Sequence, residues 1–164
     1  MNKEILVIDD NPDLRFLICK ILKEESYEIR SAANYDQAEK EIKKKLPDLA
    51  IIDIKLDKSD KDGIDLLKLI MSIEPTTPVI MISGHATVQI AVESIRLGAY
   101  EFIEKGTTFS TDKLLNYIAR AIETAELKKE KEIIEKKLFH SFDLIGSSQS
   151  ILKVKKTIEK LSNS

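Results

Sequence analysis

The chain has 164 residues, 43% hydrophobic and 33% charged, with a formal net charge of −2. That length suits one domain of ordinary size with an appendage, and the near-neutral balance supplies no basic field for nucleic acid. No run of eighteen apolar residues is present to span a membrane, the single Cys19 has no partner for an internal disulfide, and a strand pattern starting within four residues of the first leaves no room for a signal peptide. A cytoplasmic protein is expected.

In chain order, Ile5-Leu6-Val7-Ile8 reads as a buried strand that stops at Asp9-Asp10. Asn11-Pro12 follows as N-cap and first helical residue, with Leu14, Leu17, Ile18, Ile21 and Leu22 at helical spacing. Tyr27 to Ala32 is a more polar strand, placed near a sheet edge. Tyr35 to Leu46 is a polar helix with Ala38 and Ile42 facing inward, closed by Pro47. Leu49-Ala50-Ile51-Ile52-Asp53 is an apolar strand ending in a carboxylate, and residues 55–63 form a charged loop. Ile64 to Ile73 is helical, with Leu66, Leu67 and Ile70 for the core. Val79 to Ile82 is a buried strand ending at Ser83-Gly84-His85. Thr87 caps a helix carrying Val88, Ala91, Val92 and Ile95, which stops at Gly98. Tyr100 to Ile103 is a fifth strand ending at Glu104-Lys105, and Leu114, Leu115, Ile118 and Ile122 start a last helix. From 123 the chain is nearly all charge with scattered Leu127, Ile133, Ile134 and Leu138, so 123–141 is expected to be a helical linker or short coiled coil. Residues 142–164 hold a new start with too few apolar residues for a core of their own.

Five strands alternating with five helices argue for a parallel sheet covered on both faces. The leading topology is an α/β, flavodoxin-like, doubly wound sheet of order 2-1-3-4-5. In that order strands one and three are neighbours, so Asp9, Asp10 and Asp53 converge on the carboxyl edge, with Ser83 and Lys105 along it. A strand buried on both faces has no place for a charge except at its end.

Three carboxylates in one pocket repel one another unless a cation neutralises them. A hard divalent ion with oxygen ligands, Mg²⁺ above all, suits this set. Asp10 and Asp53 are expected to bind it directly, Asp9 through water and Lys55 through its backbone carbonyl. The remaining oxygen of Asp53 is then a nucleophile for phosphorus. Lys105 supplies a cation and Ser83 a hydroxyl for the phosphoryl oxygens, while Gly84 leaves the approach to Asp53 free of bulk.

With Asp9-Asp10, Asp53, Ser83 and Lys105 at the ends of strands one, three, four and five, residues 3 to about 122 resemble the receiver domains of two-component response regulators, the CheY-like fold. The resemblance implies a sensor histidine kinase as phosphoryl donor to Asp53 and later hydrolysis of the acyl phosphate. It implies that Phe102 is the switch aromatic that turns inward as Ser83 moves, although Phe102 also reads as plain core. Lys55 and His85 would tune phosphoryl lifetime, although His85 also reads as an exposed loop histidine. Two departures stand out: Gly106 replaces the proline, often cis, that usually follows the lysine, and the loop from Asp53 to Gly63 is two residues longer. The long loop, Ser83-Gly84-His85 and the run from Ala99 to Lys105 are similar to the NtrX branch of the NtrC family of sigma-54-dependent activators. Asp143-Leu144-Ile145-Gly146 resembles the opening of an AAA+ domain, and no GxxxxGK[ST] loop lies within the chain, so no ATPase activity is expected of these residues. The implied protein is a transcription regulator that dimerises through helix four, strand five, helix five and the linker. Its contacts with sigma-54 RNA polymerase and DNA would be made by domains this chain lacks.

Other readings compete. An aspartyl-nucleophile enzyme of the haloacid dehalogenase type would need Asp two residues after Asp53, where Lys55 stands. A flavin binder would want a phosphate cradle after strand one, where Asp9-Asp10 would repel phosphate. A receiver-like interaction module working without phosphorylation also fits the fold.

Overall fold

The computed structural model describes residues 2–56, 60–85, 87–106 and 109–145, with side chains through 141. The chain divides into two units, Met1–Ala125 and Glu126–Ser164. The first holds five parallel strands in the order β2-β1-β3-β4-β5: β1 (Glu4–Ile8), β2 (Glu28–Ala32), β3 (Leu49–Asp53), β4 (Val79–Ser83) and β5 (Glu101–Glu104). Between them run α1 (Pro12–Glu24), α2 (Tyr35–Lys44), α3 (Gly63–Ile73) and α4 (Val88–Arg96). The expected topology is the observed one, and the polar β2 lies at an edge.

Alternation along the central strands explains the two core layers. Leu6, Ile8, Ala50, Ile52, Val79 and Met81 face Ala38, Ile42, Leu66, Leu67 and Ile70, which puts α2 and α3 on one side. Ile5, Val7, Leu49, Ile51, Ile80 and Ile82 face Ile18, Leu22, Leu114 and Ile118 on the other. Every one of these side chains is fully withdrawn from solvent or within 2% of it, which stabilises the sheet by roughly 1.5–3 kcal/mol per large aliphatic residue. Cys19 packs at the rim of the second layer, and burial pushes its thiol pKa up.

The helix starts follow from local chemistry. Asn11 Oδ1 accepts the Asp13 and Leu14 amides, with Pro12 at the first position of α1. Asp62 accepts the amides of Ile64 and Asp65, and Asp65 reciprocates to the Asp62 amide, so a capping box starts α3 one residue before the position read from periodicity.

Two apolar assignments differ from the expectation. On α1, Leu17 is 48% exposed and its neighbour Phe16 72% exposed. On α4, Val88 and Val92 are 80% and 51% exposed, and Ile95 is exposed as well. The inner face of α4 is Ile90, Leu97 and the buried Ser94, whose hydroxyl bonds the Ile90 carbonyl at 2.9 Å. The buried hydroxyl of Ser94 is satisfied on its own helix, and Val88, Val92 and Ile95 lie on the opposite, exposed face.

The last helix, α5 (Thr111–Ile145), is one element, so the expected boundary at 141 lies inside it. In the second unit its Leu127, Ile133, Ile134 and Leu138 are exposed. Residues 146–164, where the second-domain start is expected, lie outside the described residues.

Candidate functional site

Strand register assembles the site. Ile8 pairs with Ile52, so the next residues, Asp9 and Asp53, stand side by side. Asp53 pairs with Ile82, and Ser83 pairs with Glu104, which brings Ser83 and Lys105 to the same edge. The Lys105 amide donates to the Ser83 carbonyl at 2.8 Å, fixing the end of β5 against β4. These residues open into a cleft of about 530 Å³ lined by Asp10, Asp53, Lys55, Ser83, His85 and Lys105 among others.

Each of Asp9, Asp10 and Asp53 places a carboxylate oxygen within 4.8 Å of the others. Asp53 is 4% exposed and Asp9 fully buried. Lys105 Nζ donates to Asp53 Oδ2 at 2.8 Å and stands 3.0 Å from Asp9 Oδ2. That second approach is an ion pair at a distance without hydrogen-bond alignment, because Asp9 Oδ2 remains buried with no hydrogen-bond partner. Asp9 Oδ1 accepts the Asn11 amide at 2.9 Å, and Asp53 Oδ1 accepts the Lys55 amide at 3.4 Å.

The electrostatics are unbalanced: three carboxylates face one ammonium. Burial pushes the Asp53 carboxyl up to about 6, opposed by its hydrogen bond to Lys105 and reinforced by the negative charge of Asp9. For Lys105, burial works against the charged form, but the Asp53 and Asp9 carboxylates outweigh it and its pKa is raised. A buried, unsatisfied carboxylate oxygen in a cluster of three is the donor set a hard divalent cation takes, so the residues present fit such an ion.

The remaining expected residues fall as follows. Ser83 is 5% exposed, lines the cleft, and its Oγ accepts the His85 amide at 3.2 Å. His85 is exposed at the rim. Phe102, opposite Met81 in register, is partly buried against the core layer of α2 and α3. A methyl group at Gly84 would meet only Lys105 Cδ, at an ordinary 3.9 Å. Gly84 is therefore not required to keep the approach to Asp53 clear, because the cleft there is open. Gly106 has φ +143°, in the region that favours glycine, and no cis peptide occurs among the described residues. A proline at 106, with φ held near −65°, could not take this path. Lys105 reaches Asp53 without it because backbone bonding to Ser83 anchors the lysine.

Periodicity did not reveal three contributors. Gly63, read as the end of a loop, lies against the back of Asp53. A Cβ there would sit 2.9 Å from the Asp53 carbonyl carbon and from Ile52 Cγ2, and closer still to the carbonyl oxygen. The Gly63 amide also donates to the Ile54 carbonyl at 2.8 Å. Asp62, the cap of α3, lines the cleft, and the D-x-x-D spacing of Asp62 and Asp65 was the signal available for it. Arg15 donates to the Asp9 carbonyl at 2.6 Å.

Comparison with known proteins agrees with this arrangement. The family model of the response regulator receiver domain matches residues 5–119. A putative response regulator NtrX-like protein of Rickettsia bellii is 40% identical over 161 residues, covering 98% of this chain and 33% of its own length. Among solved structures, NtrX from Brucella abortus aligns at 38% identity and TM-score 0.75, covering 100% of this chain and 36% of its own. The isolated receiver domain of that NtrX aligns at 44% identity and TM-score 0.68, covering 73% of this chain and 98% of its own. The chain thus spans about a third of the length of the relatives it matches end to end. With the acidic cluster, its lysine and the sheet order all in the same frame, the chain belongs to the response regulator receiver domain family, in its NtrX-like branch.

Proposed function

We propose that Asp53 is the phosphoacceptor of a two-component switch, and that a sensor histidine kinase is its donor. The observation that carries this reading is the clustering of three carboxylates within 4.8 Å with Lys105 at 2.8 Å from Asp53. An Asp53 oxygen attacks the phosphorus of the donor's phosphohistidine, the P–O bond forms as the P–N bond breaks, and an acyl phosphate results. Asp10 and Asp53 directly, Asp9 through water and Lys55 through its carbonyl would hold Mg²⁺, which when bound would supply charge neutralisation for the phosphoryl oxygens. Lys105 leaves the carboxylate pair and follows the new negative charge, and Ser83 donates its hydroxyl to another phosphoryl oxygen. Phe102 turns inward as Ser83 moves. Lys55 and His85, at the rim, set how readily water reaches the acyl phosphate, whose hydrolysis returns the carboxylate and inorganic phosphate. The chain is a slow self-dephosphorylating switch in the cytoplasm and not a turnover enzyme.

Residues through about 122 form the receiver, a helical linker follows from 123, and the segment toward 164 begins an AAA+ domain. Phosphorylation reorganises the face of α4, β5 and α5, where exposed Val88, Val92 and Ile95 support pairing with a second copy. The complete regulator would act on sigma-54 RNA polymerase and DNA through domains outside this chain. The competing reading, an interaction module that is never phosphorylated, finds no specific support in the cleft.

Incubation with acetyl phosphate and Mg²⁺ should add one phosphoryl group by intact-mass measurement, and Asp53→Asn should abolish it. Equal labelling of that variant would sink the assignment.

A further inference from the structure

The Asp9 carbonyl lies one residue past the last register pairs of β1, Ile8 with Ile52 and with Ala32, and among the described residues no strand amide donates to it. Three contacts restrain this residue instead. Its amide donates to the Ala32 carbonyl at 3.2 Å, its Oδ1 accepts the Asn11 amide at 2.9 Å, and its carbonyl accepts Arg15 Nη1 at 2.6 Å. The last is short and charge-assisted, and it comes from the first turns of α1, a rigid element started by Asn11 and Pro12. The carbonyl of Asp9 and the Cα of Asp10 share one planar peptide, so fixing the first fixes the direction in which the second leaves. Among the described residues no hydrogen bond or ion pair holds the Asp10 carboxylate itself, so its aim depends on its backbone.

We infer that Arg15 is a positioning residue: its hydrogen bond to the Asp9 carbonyl locks the Asp9–Asp10 peptide and so directs the Asp10 carboxylate toward a divalent cation held beside Asp9 and Asp53 in the cleft. This rests on the cation-assisted reading above. It also makes an unusual demand on sign. A guanidinium near a cation site repels the cation, so a purely electrostatic Arg15 would weaken binding and its loss would tighten it. A positioning Arg15 strengthens binding despite its charge, and its loss weakens it.

The test titrates Mg²⁺ into the full chain by isothermal calorimetry, with metal-free thermal unfolding as the control for fold. Arg15→Met should bind about tenfold more weakly than the wild type, the scale at which residues that orient ligands act, while Arg15→Lys, which keeps a donor, should stay within about threefold of it. Should Arg15→Met fail to fold, Arg15→Gln, too short to span the same distance, replaces it with the same expectation. Equal or tighter binding by Arg15→Met, or Arg15→Lys as weak as Arg15→Met, would overturn the positioning role. If the wild type itself takes up no Mg²⁺, the cation-assisted reading fails first and this inference with it, an outcome separable from the variant results.

Discussion

Asp53 sits where its charge is least comfortable. It ends a strand buried on both faces, and among the described residues only Lys105 pairs with it and Asp9. Its carboxyl is raised from 3.8 to about 6, so the folded state holds that proton more tightly than the unfolded chain does. Stability contributed by this group is therefore present at acid pH and lost as pH rises through the window from about 4 to 6. In metal-free protein, Asp53→Asn should raise unfolding free energy by about 1–3 kcal/mol at pH 7.5, the rise to about 6 being already net of Lys105, and by almost nothing below pH 4. Denaturant unfolding at the two pH values checks this, and a variant less stable at pH 7.5 would contradict it. The same proton competes with a cation, so Mg²⁺ affinity of the wild type should fall below pH 6.

At the scale of elements, the β3–α3 connection is held more tightly than its charged sequence suggests. The capping box of Asp62 and Asp65 starts α3, and Gly63 packs its bare Cα on the Asp53 carbonyl. The obstruction is backbone, which cannot rotate aside as a flexible side chain would. Gly63→Ala should therefore cost about 2–4 kcal/mol and displace Asp53, so that acetyl phosphate labelling slows even where the variant is folded. Gly63→Ala with wild-type stability and labelling rate would show that the connection yields. Gly106 is glycine for a different reason: among the described residues nothing lies within 4 Å of where its Cβ would be, and its φ of +143° is strained for any other residue.

At the scale of the molecule, the large apolar side chains left exposed among the described residues, such as Phe16, Val88 and Val92, lie on helices rather than on the sheet. Val88 at 80% exposure contributes little to the fold, so Val88→Asp combined with Val92→Asp should leave stability within about 0.5 kcal/mol per site. If α4 forms the face on which two copies meet, the same double variant should stay monomeric in sedimentation velocity with acetyl phosphate and Mg²⁺, where the phosphorylated wild type gains mass. Dimerisation of the phosphorylated double variant would exclude α4 from the contact.

How much was legible depends on range. The order of strands and helices, the core positions of β1, β3 and β4, and the meeting of Asp9, Asp53, Ser83 and Lys105 at one edge follow from the amino-acid order, because strand burial and helix period are local and parallel βαβ connections admit few topologies. The outward turn of Val88, Val92 and Leu17 did not follow, because an apolar stripe does not say which neighbour covers it, and on α4 the self-bonded Ser94 took the inner place. Gly63 against Asp53, Arg15 on the Asp9 carbonyl, and the orphaned Asp9 Oδ2 beside Lys105 were decided only by tertiary structure. Each is a contact between a side chain or Cα and backbone brought together by the sheet, and no periodicity encodes such a distance.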